Sequence, residues 1–167
     1  MPKPIRSAVI ALVSTIVTST AWLVPAAAAQ TKAATPASGD ACSLLTKEDA
    51  AAALGEAVKG PKALSNLPAG PGTTVSSCEY EGSGLHKVQV NLTRLPASSV
   101  AMYRAMCAKK GQDGLAGLGD VACWYNEKHE ELHALKGSAF ISVELRRSGN
   151  PTGAITGVMK KALERLR

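Results

Sequence analysis

Four cysteines, Cys42, Cys78, Cys107 and Cys123, constrain this chain more than any other feature. As metal ligands, free thiols or disulfides they would imply different folds. Structural zinc sites present thiolates as C-x2-4-C pairs, and no two of these four lie that close. Between thiols and disulfides the compartment decides, because disulfides persist where the environment oxidises. The N-terminus addresses the compartment. Lys3 and Arg6 form a short positive segment, and Ala8 to Val24 is uncharged and apolar apart from Ser and Thr. Pro25 then leads into Ala26-Ala27-Ala28-Ala29 before Gln30. A positive start, an apolar middle and a small-residue exit predict a cleavable secretory signal peptide over residues 1–29. A transmembrane anchor needs about 20 apolar residues; this run is shorter and ends in a segment suited to signal peptidase. No cysteine stands at the cleavage site for lipid attachment, so the expected product is periplasmic or secreted, without a stable membrane anchor.

In such a compartment an even count of cysteines predicts two disulfides. Three pairings are open to four cysteines. Cys42–Cys78 and Cys107–Cys123 are favoured because they tie neighbouring elements together. Loss of Lys3 and Arg6 with the signal peptide lowers the formal net charge from +6 to +4 and leaves 138 of the 167 residues. That length fits one domain with a sizeable core. Gln30 to Asp40 is rich in Ala, Thr, Ser, Pro and Gly without apolar periodicity and reads as a flexible leader, leaving residues 41–167 as the folded domain.

Along that domain the elements alternate in type. Thr46-Lys-Glu-Asp49 resembles a capping box with Asp in the acidic place, and an alanine-rich run follows to Leu54 and Gly55. A short strand within Glu56 to Leu64 is interrupted by Gly60-Pro61, and Ser65 to Thr74 reads as a loop. Strands are expected over Val75 to Glu81 and His86 to Leu95, the second alternating Val88, Val90 and Leu92 against Gln89, Asn91 and Thr93. Ser98 or Ser99 caps a helix running to about Lys110, stopped by Gly111. Three strands follow, over Val121 to Asn126, Glu130 to Leu135 and Ala139 to Arg146. A final helix carries Ile155, Val158, Met159, Ala162 and Leu166 at helical spacing. The predicted fold is α+β: an antiparallel sheet of about five strands with helices packed on it, in the order α-β-β-α-β-β-β-α.

His129-Glu130-Glu131-Leu132-His133 spells H-E-x-x-H. That motif makes a zinc peptidase only on a helix, where His129 and His133 would share one face and Glu130 would act as base. On a strand four steps cover about 13 Å, too far for one ion with bonds of about 2 Å. A strand-like Cys123-Trp124-Tyr125 before the motif and a turn at Leu135-Lys136-Gly137-Ser138 after it favour a solvated hairpin whose polar side carries His and Glu. A third ligand is not evident; Glu144 falls on the next strand and Glu164 on the last helix. Other motifs carry less. Gly114-Leu-Ala-Gly117-Leu-Gly119 lacks phosphate-loop spacing and precedes a strand. Asn91-Leu-Thr93 is a sequon in mid-strand, and no nucleophile-elbow sequence presents a serine. Arg146, Arg147, Lys160, Lys161, Arg165 and Arg167 cluster near the C-terminus, either as an ordinary solvated face or as a surface for an anionic partner. Export and the absence of a recognition motif speak against nucleic acid.

Several islands together carry a resemblance: Ala41-Cys-Ser-Leu-Leu-Thr46, Ser77-Cys78-Glu-Tyr80, Gly117-Leu-Gly-Asp120-Val-Ala-Cys-Trp124 and Leu135-Lys-Gly137. In this order they resemble small exported bacterial domains typified by actinobacterial lipoproteins and kinase sensor-like ectodomains. The resemblance implies an α+β domain with a Cys42–Cys78 bridge and no catalytic residues. The lipid-attachment cysteine of that group is missing here. The functional expectation is therefore an exported, non-enzymatic domain, without cofactor, that binds a protein or an anionic envelope component, as an inhibitor or immunity protein would. The alternative is a zinc metallopeptidase built on the HEELH segment.

Overall fold

The computed structural model of the chain describes residues 39–108 and 115–166. The expected signal peptide, residues 30–38 of the leader, the Lys110-Gly111 helix end and Arg167 lie outside the described residues. The fold begins with two short helices where the sequence suggests one. Asp40 caps α1 (Ala41–Leu44) by accepting from the Cys42 amide, and extended Leu45 ends it. Asp40 is buried, and the Ser65 hydroxyl donates to its carboxylate. Asp40, expected at the end of the leader, is therefore part of the fold. Thr46 then caps α2 (Lys47–Leu54) through the expected capping box: its Oγ1 accepts from the Asp49 amide at 3.2 Å while Asp49 accepts from the Thr46 amide at 3.3 Å. Gly55 closes α2 in the left-handed region, where glycine carries no Cβ penalty.

Six strands form one antiparallel sheet: β1 (Lys59–Pro68), β2 (Thr74–Glu81), β3 (Lys87–Arg94), β4 (Val121–Trp124), β5 (Glu131–Lys136) and β6 (Ala139–Arg146). Their spatial order is β1-β2-β3-β6-β5-β4. This corrects the expectation of about five strands. It also corrects the loop assigned from Ser65, since pairing with β2 continues to Pro68. Prolines are tolerated there because β1 is an edge strand, with one side of its backbone outside the ladder. Two meanders, β1-β2-β3 and β4-β5-β6, join through β3 and β6, paired without a break from Lys87↔Arg146 to Arg94↔Ala139. The helices α3 (Ala97–Ala108) and α4 (Thr152–Arg165) follow β3 and β6.

Antiparallel register assigns each residue to a face of the sheet. On one face lie Cys78, Tyr80, Val88, Val90, Ile141 and Val143, all buried. There α1, α2 and α4 pack, with α4 contributing Ile155, Val158, Met159 and Ala162. On the second face, α3 packs over the corner formed by β4, β5 and the start of β6. Tyr103 packs on Phe140 with ring centroids 4.6 Å apart, beside buried Leu95 and Leu135. The two disulfides are Cys42–Cys78 and Cys107–Cys123. One staples α1 to the core face and the other staples α3 to the opposite face. Gly119, left-handed at φ 70°, explains the glycine-punctuated approach to β4: a Cβ there would meet the Leu135 carbonyl oxygen at 2.5 Å. Close chain approach accounts for that glycine, and no phosphate is needed to explain it.

The last helix is fixed by charge as well as by apolar contact. Asp49 accepts from Lys161 Nζ at 2.7 Å and from the Arg165 guanidinium. Arg165 also reaches the Leu44 carbonyl at 3.1 Å. Burial alone would raise the Asp49 pKa, but hydrogen bonds from Arg165, Lys161 and Thr46 outweigh it and hold the carboxyl well below its ordinary 3.8.

Candidate functional site

Away from α3, no described element covers the second face of the sheet, which carries a hydrogen-bonded polar network. Register places Leu64, Ser77, Asn91, Ser142 and His133 in one row across five strands, and Lys62, Glu79, Gln89, Glu144 and Glu131 in the next. Within these rows Gln89 Nε2 donates to Ser77 Oγ at 3.2 Å and to Asn91 Oδ1 at 2.9 Å. Asn91 Nδ2 donates to Ser142 Oγ at 3.0 Å. Lys87 Nζ sits between Glu79 at 3.1 Å and Glu144 at 3.7 Å, and Arg146 Nε donates to Glu144 at 2.6 Å. Lys62 pairs with Glu81 at the β1 end, and that hydrogen bond holds the Glu81 carboxyl below the usual carboxylate range. Side chains so interlocked on a sheet are pre-oriented, and a ligand meets a surface whose ordering cost has already been met by folding.

Large apolar side chains flank this network. Leu64 is 57% exposed and Leu67 47% on β1; across the sheet Tyr125, next to β4, is 50% exposed. Tyr125 belongs to the same face, because its amide donates to the Glu131 carbonyl in continuation of the β4–β5 ladder. The alternation of β3 already assigns Gln89, Asn91 and Thr93 to the outward side. Leu64 and Leu67 are invisible as site residues in the sequence, since Pro61, Pro68 and Gly70 give their segment the look of a loop.

The HEELH residues are not helical. His129 lies in the turn before β5 with φ 55°, and its ring stacks on Trp124 with centroids 4.6 Å apart. Glu130 sits at the strand entrance, its carbonyl accepting from the Leu145 amide at 2.9 Å. His133, on β5, is buried. Its ring packs edge-on against Phe140 and beside Tyr125, and its Nε2 lies 2.8 Å from Glu131 Oε1. The expected hairpin is present, but His133 is not on a solvated side, because Tyr125 and Phe140 shield it. The shared helical face that a zinc peptidase requires does not form here. Among the described residues no three of His, Cys, Asp and Glu are grouped to hold a metal ion.

The basic residues expected to make one surface are dispersed. Arg146 belongs to the open face, and Arg147 donates to the Ala53 carbonyl at 2.7 Å. Lys161 and Arg165 clamp Asp49. Lys160 lines a separate cleft of about 370 Å³ with Lys136, Asp120 and Glu164, where Lys136 Nζ caps α4 by donating to the Leu163 carbonyl at 2.9 Å. Both signs of charge therefore meet on this side, with carboxylates beside most of the cations. Comparison with protein-family models, curated proteins and solved structures finds no match. No helix among the described residues is long and apolar enough to cross a membrane. Two disulfides in one small domain suit an oxidising compartment outside the cytoplasm.

Proposed function

We propose that this chain is an exported binding domain, periplasmic or secreted, that grips a partner protein on the open face of its sheet. The observation that carries this reading is the placement of Leu64, Leu67 and Tyr125 around a fixed polar network on one rigid surface. Protein interfaces combine apolar and aromatic anchors with polar groups, and here Leu64 and Leu67 at one margin and Tyr125 at the other bracket the polar rows. Lys62, Lys87 and Arg146 stand here against Glu79, Glu81, Glu144 and Glu131. Near-balanced charge of this kind favours a partner of mixed charge over a strongly anionic polymer. The secretory pattern of residues 1–29 and the two disulfides support the compartment.

The test is capture from envelope extract by immobilised wild-type domain, by the double variant Leu64→Asp/Tyr125→Ser, and by Lys160→Glu on the opposite side. All three substituted positions are exposed, so the variants are expected to fold. A partner retained by wild type and by Lys160→Glu, but reduced at least about tenfold by the double variant, is expected, since removal of an interface anchor commonly costs above 1–2 kcal/mol. Equal capture by the double variant would remove the open face as the binding surface.

A further inference from the structure

We propose that Ser148, His86 and Glu56 form a nucleophile–base–carboxylate relay that makes Ser148 reactive toward acyl esters. The three residues come from the loop after β6, the turn just before β3 and the segment after α2, and the fold brings them together at one end of the sheet. His86 Nε2 lies 3.1 Å from Ser148 Oγ, and His86 Nδ1 lies 2.7 Å from Glu56 Oε1. That is the connectivity by which serine hydrolases activate an alcohol: nucleophile to base, base to an orienting carboxylate. An ionised Glu56 can only accept, so Nδ1 carries the proton and Nε2 is left to accept from Ser148.

The carboxylate is itself fixed. Glu56 accepts from the Ser83 amide at 3.1 Å and from the Ser83 hydroxyl. It lies directly on Gly82, where a Cβ would come within 2.3 Å of Oε1. The Ser83 hydroxyl, the His86 ring and the Ser83 amide together lower the Glu56 pKa from 4.5 to about 2, so it stays ionised at neutral pH. After Ser148 the chain turns through left-handed Gly149. The amides of Gly149 and Asn150 donate to no protein acceptor among the described residues. In hydrolases the N–H following the nucleophile serves the developing oxyanion, and Gly149 offers that group here.

In the reaction, Ser148 Oγ attacks the ester carbonyl carbon as its proton passes to His86 Nε2. The bond from carbon to the alcohol oxygen then breaks, and the departing alcohol takes the proton from His86, leaving an acyl-Ser148. Water, deprotonated by His86, attacks the acyl carbon, and the carboxylic acid leaves as Ser148 regains its proton. Ser148 is exposed and His86 half-exposed. The substrate class is therefore an acyl ester presented from outside, carried on a larger molecule, rather than a small molecule enclosed in a pocket. This goes beyond the binding reading and uses a different site.

A fluorophosphonate probe tests it on the folded, oxidised domain, read by intact mass. Attack by Ser148 Oγ on phosphorus expels fluoride, and its proton is lost through His86. One adduct per chain on wild type, mapped to Ser148, is expected. No adduct is expected on Ser148→Ala, and labelling should slow at least about a hundredfold in His86→Ala, the scale of general-base assistance. Glu56→Gln, which keeps the size of the side chain but removes the carboxylate charge behind His86, should also slow labelling. Absence of an adduct on wild type, or labelling undiminished in Ser148→Ala or His86→Ala, would overturn the proposal and leave a hydrogen-bonded chain with a structural role only. Neither result bears on capture through the open face.

Discussion

Replacing Cys42 and Cys78 together with alanine is expected to lower the stability of the domain by about 4 kcal/mol. The bridge closes a stretch with a sequence separation of 36, and loop-closure entropy in the unfolded chain scales with that length to roughly this value. Alanine is the right replacement because Cys78 is fully buried, and a serine hydroxyl there would add an unrelated desolvation cost. The second bridge, with a separation of 16, should contribute about 3 kcal/mol by the same scaling. Equilibrium urea unfolding of the two double variants measures both. A loss below about 1 kcal/mol for the Cys42–Cys78 pair would mean that α1 and β2 are held by packing alone. The location matters as much as the number: this bridge anchors the helical layer to the core face, whereas Cys107–Cys123 only pins α3 over a corner.

The second large effect is expected at Asp49. Asp49→Ala removes the acidic half of the α2 capping box, leaving Thr46 as the cap, and strands Lys161 and Arg165 at once. Removing one partner of a buried ion pair costs about 3–5 kcal/mol. Because Lys161 and Arg165 are partly open to water, the expected loss is discounted to about 3 kcal/mol in all. The pH dependence has a definite sign. The carboxyl titrates well below 3.8 in the folded state, so its contribution is complete above about pH 4, the unfolded range. That contribution is lost as the pH falls further toward the folded value. Glu56, lowered to about 2, adds to the same acid slope. Stability measured against pH should therefore decline below about pH 4 in wild type and decline less steeply in Asp49→Asn. An unchanged slope in Asp49→Asn would show that the clamp does not persist in solution.

Much of this architecture is legible in the sequence, for identifiable reasons. Val88, Val90 and Leu92 alternate cleanly because one face of β3 is buried and the other open, and Ala139 to Arg146 is bounded by turn residues on both sides. The capping box at Thr46 is local chemistry and survives folding unchanged. The pairing of the cysteines followed the adjacency of elements. The misreadings arose where tertiary context overrides local signals. Pro61 and Pro68 suggest a loop, yet an edge strand can hold prolines. Asp40 belongs by composition to a polar leader, yet its burial and capping role arise only once Ser65 arrives from β1. The site was harder to see than the fold. H-E-x-x-H draws attention although its backbone is a turn and a strand. Leu64 and Tyr125 become neighbours of one polar network only through strand order, and Glu56, His86 and Ser148 meet from separate segments with no motif between them. The basic C-terminal residues look alike in sequence, but Asp49 claims two of them for the fold.

The most direct measurement of the central claim places a photo-crosslinking amino acid at position 64 on the open face, or at position 160 on the opposite side, in the cell that makes the protein. After irradiation, position 64 is expected to give a discrete covalent adduct to a second protein, while position 160 gives none. Adducts from position 160 with none from position 64 would contradict the assignment of the open sheet face as the surface that meets the partner.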